Sequence, residues 1–259
     1  MTPPASRRAV LAAAGSALLA ACTGTRTARR AAPAVATTAP ATPATQPPTT
    51  AAAAHHDGGA RVLRRVDTGR PEVALTFHGS GDTGLAVRLL SEAERAGAAV
   101  TVFAVGTWLQ AHPEMATRIL KGGHVLGNHT YTHPTLHRLS PSAIADEVSR
   151  CATLLHRLTG SAGAAFRPSG GPSITPPMVS AATASGYRYV LGFDVDPADY
   201  RDPGAAAVTS RVLAGARAGS IISLHLGHAG TVEALPHILS GLRDRGLRPV
   251  TTTALLAAG

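Results

Sequence analysis

Residues 124–137 read HVLGNHTYTHPTLH, and within them His129 and His133 stand four positions apart, ahead of Pro134. Imidazole nitrogen binds Zn²⁺ at about 2.0–2.1 Å, and two imidazoles at this spacing can reach one ion. In a chain with 12 histidines a lone H-x-x-x-H pair is a modest signal, so the company it keeps decides its weight. Ionisable residues recur at the ends of short apolar runs. His78 and Asp82 follow residues 72–77, Arg167 closes 164–167, Asp194, Asp196 and Asp199 follow 188–193, and His225 closes 220–225. One such residue could be a surface accident. With 124–128, which His129 and His133 follow, five runs each deliver an ionisable group at the same end, and together they point to one shared site.

The elements that must position these residues alternate in type. Runs at 72–77, 99–104, 124–128, 164–167, 188–193, 220–225 and 248–252 read as strands. Leu85, Leu89, Ala93 and Ala96 recur at helical spacing before Gly97, and Pro113 is placed to open a further helix. Ser140-Pro141 starts the clearest helix, in which Ile144, Val148, Cys151, Leu155 and Leu158 form one stripe that Gly160 ends. Thr175-Pro176 opens another with a capping residue and a first-turn proline. Further helices fall near 205–218 and 231–245. Strands separated by helices imply a parallel sheet with covered faces. No G-x-G-x-x-G follows the first strand, which argues against a dinucleotide-binding open sheet. The fold class read here is α/β: a distorted (β/α) barrel of about seven parallel strands, with its site at the mouth formed by their C-terminal ends.

Composition excludes some functions. The net charge is +9, but Arg7, Arg8, Arg26, Arg29 and Arg30, against Asp57 alone, put four of those charges before residue 60. The rest are scattered and aromatics are only 3%, so the stripe and stacking platforms of a nucleic-acid binder are missing. Residues 1–21 read as an export signal: Arg7-Arg8 resembles the twin-arginine type, and residues 9–21 are apolar but too short to span a bilayer. Leu19-Ala20-Ala21-Cys22 resembles a lipobox, which marks Cys22 for lipidation. Residues 22–60, rich in Ala, Thr and Pro, read as a disordered tether, and residues 61–259 as the folded domain. The other cysteine, Cys151, lies on a buried helical stripe and is expected to be an inert thiol. No later run of 18 or more apolar residues predicts a transmembrane helix.

With these residues located, positions 73–252 resemble the polysaccharide deacetylases of carbohydrate esterase family four, the NodB homology domain. Asn128-His129-Thr130-Tyr131-Thr132-His133-Pro134 matches the motif that carries the family's two metal-binding histidines. Phe166-Arg167-Pro168 resembles the motif whose arginine orients the catalytic base. Asp196-Pro197-Ala198-Asp199-Tyr200 resembles the fourth motif, with Tyr200 where tryptophan is usual. Ser223-Leu224-His225 resembles the fifth, whose leucine lines the acetyl pocket and whose histidine is the general acid. The first motif departs: where the family has Thr-Phe-Asp-Asp-Gly, this chain has Thr76-Phe77-His78-Gly79-Ser80-Gly81-Asp82.

The resemblance implies a metal-dependent deacetylase of an N-acetylated glycan. Peptidoglycan comes first, because export and tether would hold the domain at the cell wall. The cofactor expected is a divalent metal, Zn²⁺ ahead of Co²⁺ or Mn²⁺, held by Asp82, His129 and His133. His78 would be the base, its unperturbed pKa near 6.5 suiting the task. The other arrangement makes His78 the third ligand and Asp82 the base. His225 would be the acid, with Asp196 holding it, Arg167 ion-paired to an acid at the mouth, and Leu224 and Trp108 walling the acetyl group. The expected protein is a monomer, either lipid-anchored on the outer face of the cytoplasmic membrane or secreted. It touches no nucleic acid and meets the membrane only through its anchor. A catalytically inactive glycan-binding relative is the alternative.

Overall fold

The computed structural model describes residues 58–259. Cys22, the export signal and most of the tether lie outside them. The elements in chain order are β1 (Arg61–Leu63), β2 (Glu72–Gly79), α1 (Thr83–Arg95), β3 (Thr101–Ala104), α2 (Gly106–Ala111), α3 (Glu114–Lys121), β4 (Val125–Asn128), α4 (Pro141–Thr159), β5 (Ala165–Phe166), α5 (Pro176–Ala184), β6 (Tyr189–Leu191), α6 (Ala205–Gly215), β7 (Ile221–His225), α7 (Ala229–Asp244), β8 (Arg248–Val250) and α8 (Thr252–Ala257).

The sheet runs β1-β6-β5-β4-β3-β2-β7, all pairs parallel, and β8 pairs with the first three residues of β2. Isolated bridges Arg65↔Ser220 and Val195↔Ile222 tie the β1–β6 edge to β7, closing a distorted (β/α) barrel. β2 pairs with three strands, β3, β7 and β8, and its Val73, Ala74, Leu75 and Phe77 are fully buried, as a strand covered on both faces requires. Phe77, Phe103 and Phe166 are fully buried among Ala, Val and Leu, so few aromatics suffice to fill the core.

Local chemistry sets the best helix. Ser140 Oγ accepts from the Ala143 amide, Pro141 occupies the first turn, and Gly160 ends α4 in the left-handed region at φ 78°. Ile144, Val148, Cys151 and Leu155 are buried as the stripe predicts, while Leu158 is half-buried. Burial pushes the Cys151 thiol up to about 12, which makes it a core group rather than a nucleophile. Two expectations differ. Thr175 precedes α5 but makes no side-chain cap bond. The strands β1 and helices α2 and α8 went unread: β1 is three residues of mostly exposed chain, and α2 starts at a glycine with no capping side chain. No helix among the described residues is long and apolar enough to cross a membrane.

Candidate active site

Parallel register brings the ends of β2 and β7 together. His78 pairs with His225 across β2 and β7, and with Phe103 across β2 and β3. His129 follows β4, whose last residue Asn128 pairs with Phe166 of β5. One ligand atom from each of His78, His129 and His133 lies within 4.8 Å of the other two. The ring centroids are 4.1 Å apart for His78 and His129, 4.9 Å for His129 and His133, and 4.4 Å for His78 and His225.

His129 is oriented by a hydrogen bond from Nδ1 to the Arg167 carbonyl, at 2.9 Å. That bond places the proton on Nδ1 and leaves a lone pair on Nε2. Nε2 is buried and has no hydrogen-bond partner among the described residues. Burial, the other imidazoles and Arg167 hold the pKa of His78 well below its ordinary value. Burial does the same for His129, with His133 the next largest cause. His133 is lowered by partial burial and by His225. All three are therefore neutral near pH 7, the form that binds a metal ion.

Asp82 is not with them. It is the N-cap of α1, exposed, with its carboxylate accepting from the Leu85 amide at 2.8 Å. The two glycines do not fold it back toward His129. Of the two arrangements open from the sequence, the structure brings together the histidines of the second, His78, His129 and His133. Gly79 could not replace the lost carboxylate, since a Cβ there would lie 2.7 Å from Val102 Cγ1 and 3.0 Å from the Ala104 backbone.

Arg167 has no acidic partner among the described residues. Its fully buried guanidinium donates to the Leu191 carbonyl (3.1 Å), Thr76 Oγ1 (2.7 Å) and the Gly192 carbonyl (3.1 Å), and lies 4.3 Å over the Phe103 ring. Burial lowers it to about 9. It is a cross-strand strut, and its own carbonyl aims His129; the expected ion pair does not form.

His225 is held by Asp199, not Asp196. Nδ1–H donates to Asp199 Oδ1 at 2.7 Å, and the His225 amide and Thr231 hydroxyl donate to Oδ2 at 2.8 and 2.7 Å. Asp196 is exposed and closes a local turn by accepting from the Ala198 amide. Ala198, at φ 53°, reverses the chain between the two acids, so Asp199 enters the site. Asp196 and Asp199 stand in the same motif, and spacing alone does not choose between them. A second pair, His228 Nδ1 to Asp202 at 2.8 Å, sits beside His225 at the rim. Tyr200 is 44% exposed, with its ring 5.4 Å from that of His225 and the Arg201 guanidinium 5.5 Å over it. Leu224 has no exposed surface and belongs to the large core cluster. Trp108 is also in that cluster, and its indole N–H donates to the Gly81 carbonyl at 2.9 Å, anchoring the loop after β2.

The family model described as polysaccharide deacetylase matches residues 65–190. A peptidoglycan-N-acetylglucosamine deacetylase of Bacillus cereus is 31% identical over 190 residues, covering 72% of this chain and 68% of that protein. A solved peptidoglycan N-acetylglucosamine deacetylase in complex with a naphthalenyl-N-oxidanyl-benzamide is 29% identical at a TM-score of 0.71, covering 75% of this chain and 92% of that one. A mutant CE4 family pseudoenzyme with restored enzymatic activity, whose wild type is from Bacillus anthracis, is 25% identical at a TM-score of 0.72, covering 77% of this chain and 72% of that one.

Proposed function

This chain belongs to the polysaccharide deacetylase family, and on that premise we propose that it is a metal-dependent hydrolase that removes N-acetyl groups from peptidoglycan. The observation that carries the reading is the buried, unpartnered Nε2 of His129 within the three-histidine cluster. A buried polar atom without a partner costs about 1–3 kcal/mol, and this one has only a lone pair to offer. His78, His129 and His133 would hold a divalent ion, for which Zn²⁺ suits the all-nitrogen donor set ahead of Co²⁺ or Mn²⁺. Such an ion, when bound, supplies Lewis-acid polarisation of the acetyl carbonyl.

The chain's own residues do the rest. Asp199 accepts a hydrogen bond from Nδ1–H of His225 and fixes its ring, which leaves Nε2 free to take a proton from the water whose oxygen bonds to the acetyl carbon. Nε2 then gives that proton to the departing sugar nitrogen as the C–N bond breaks. Thr231 and the His225 amide keep the Asp199 carboxylate in place. Arg167 ties together the ends of the strands that carry His129 and His78. Residues 1–21 as export signal, lipidation at Cys22 and the tether to residue 60 would place the enzyme, as a monomer, outside the cytoplasmic membrane within reach of the wall.

One substitution favours a second reading. The family's base aspartate position is His78, which here joins the ligand cluster, and that suits a glycan-binding protein without turnover. Acetate release from peptidoglycan by Zn²⁺- or Co²⁺-loaded protein decides between them. We expect release by the wild type, none from His129→Ala, and a drop of about 10²–10⁴-fold for Asp199→Asn. A silent wild type that still binds oligosaccharide selects the second reading. Equal release by wild type and His129→Ala ends the metal-dependent one.

A further inference from the structure

The histidines of the H-x-x-x-H pair lie on a loop after β4, not on a helix, so no regular spacing turns them toward one point. Two of the loop's residues, Thr130 at φ 69° and His133 at φ 60°, are in the left-handed region without being glycine, a conformation that costs about 1–2 kcal/mol per residue. Something must hold the chain there. From one side, the first amides of α2 donate to it: Gly106 to the Thr130 carbonyl at 3.0 Å and Thr107 to the Tyr131 carbonyl at 2.8 Å. A Cβ on Gly106 would lie 2.5 Å from the Tyr131 ring, so only glycine lets α2 come this close.

From the other side comes a single buried carboxylate. Glu147 of α4 accepts at Oε2 from the Tyr131 and Thr132 amides, at 2.9 and 2.8 Å, and at Oε1 from the Thr132 hydroxyl, at 2.7 Å. All three donors lie between His129 and His133. We propose that Glu147 is a positioning residue for the metal centre: its carboxylate pins the Tyr131–Thr132 segment and thereby turns His133 toward His78 and His129. The proposal rests on the metal-binding reading above. Glutamate is the side chain the geometry needs. Both oxygens accept, two amides sharing one and the Thr132 hydroxyl taking the other, and an apolar side chain would leave all three without this partner.

The test uses metal-free protein titrated with Co²⁺ against a chromophoric chelator, with amide hydrogen exchange followed at Tyr131 and Thr132. Wild type is compared with Glu147→Leu and with Ile144→Val, a core truncation on the same helix. We expect Glu147→Leu to bind Co²⁺ about 10–100-fold more weakly and to lose protection at both amides. Ile144→Val should melt earlier yet keep the wild-type affinity. Wild-type affinity in Glu147→Leu overturns the proposal, as does an equal loss in Ile144→Val, which would mean that any loosening of α4 suffices. If the wild type itself binds no Co²⁺, the metal reading falls and takes the proposal with it.

Discussion

His78 and His129 bring their rings within 4.1 Å of each other, yet they reach that point by different means. On the β4 side the chain leaves the sheet, and hydrogen bonds from three elements hold the loop. The Arg167 carbonyl accepts a hydrogen bond from His129 Nδ1–H, the α2 amides hold the loop's carbonyls, and Glu147 holds its amides. On the β2 side the scaffolding is thinner: the Trp108 indole N–H anchors the following loop at the Gly81 carbonyl, and His78 itself relies on the ladder. His78 is still inside the ladder, paired with Phe103 and His225, and its nearest side-chain polar contact is Ser223 Oγ at 3.4 Å. The loop that follows it runs straight into α1, where Asp82 caps. A side chain within a central strand inherits its direction from the pleat, whereas one on a loop must have its direction built by specific contacts. The two sides should therefore respond differently to change.

The largest effect is expected from His78→Ala. If the strand side contributes a ligand, this change should weaken Co²⁺ binding by more than the about 10–100-fold that loss of an outer partner costs. The sheet itself should stay intact by circular dichroism. Chelator competition that returns the wild-type affinity would leave His78 outside the centre and make the β4 loop the whole of it.

A smaller effect, shared by both sides, is acid sensitivity. The folded protein holds His78 and His129 below their ordinary pKa, so the unfolded chain binds protons that the folded one refuses. Stability of the metal-free protein should be level above about pH 6.5. It should fall as the pH drops below that value, by at most about 1.4 kcal/mol per pH unit for each imidazole. Thermal melts in chelator between pH 7.5 and 5.5 measure it, and His78→Gln should flatten the slope. A midpoint that climbs on acidification would contradict the burial of neutral imidazoles.

The smallest is Asp82→Ala. As a helix cap it should cost about 1 kcal/mol, or roughly 2–4 °C in melting temperature for a domain of this size. Metal affinity and acetate release should not change. Loss of either would return Asp82 to the site.

The same contrast explains what could be read from the residues alone. Seven of the strands were legible as short runs set between helical stretches, five of them closed by an ionisable residue, and β1 was not because Arg61-Val62-Leu63 has little to bury. His129, His133, Arg167 and His225 were legible because their neighbours form motifs. Asp199 was harder, since the choice over Asp196 depends on one left-handed residue, Ala198. Asp82 misled because a carboxylate near histidines suggests a ligand. The competing signal was already present: an aspartate just ahead of the periodic run from Leu85 is what a helix start looks like. The role of Arg167 depended on burial, which no motif carries. Glu147 offered no signal beyond its place on a helix, because its partners are backbone amides, and every residue type presents those.

The glycine at position 79 bears on any effort to rebuild the family's usual machinery in this chain. An aspartate grafted there would start from a Cβ crowded against β3, 3.0 Å from the Ala104 backbone, and pointing into that strand. Restoring a carboxylate by that route means moving a neighbouring strand of the barrel. Position 78 already faces the mouth, so a one-letter reversion there would set an acid among the histidines without disturbing the sheet. In design terms, of the two addresses the family's usual motif uses, this chain has one closed by packing and the other open under a different side chain.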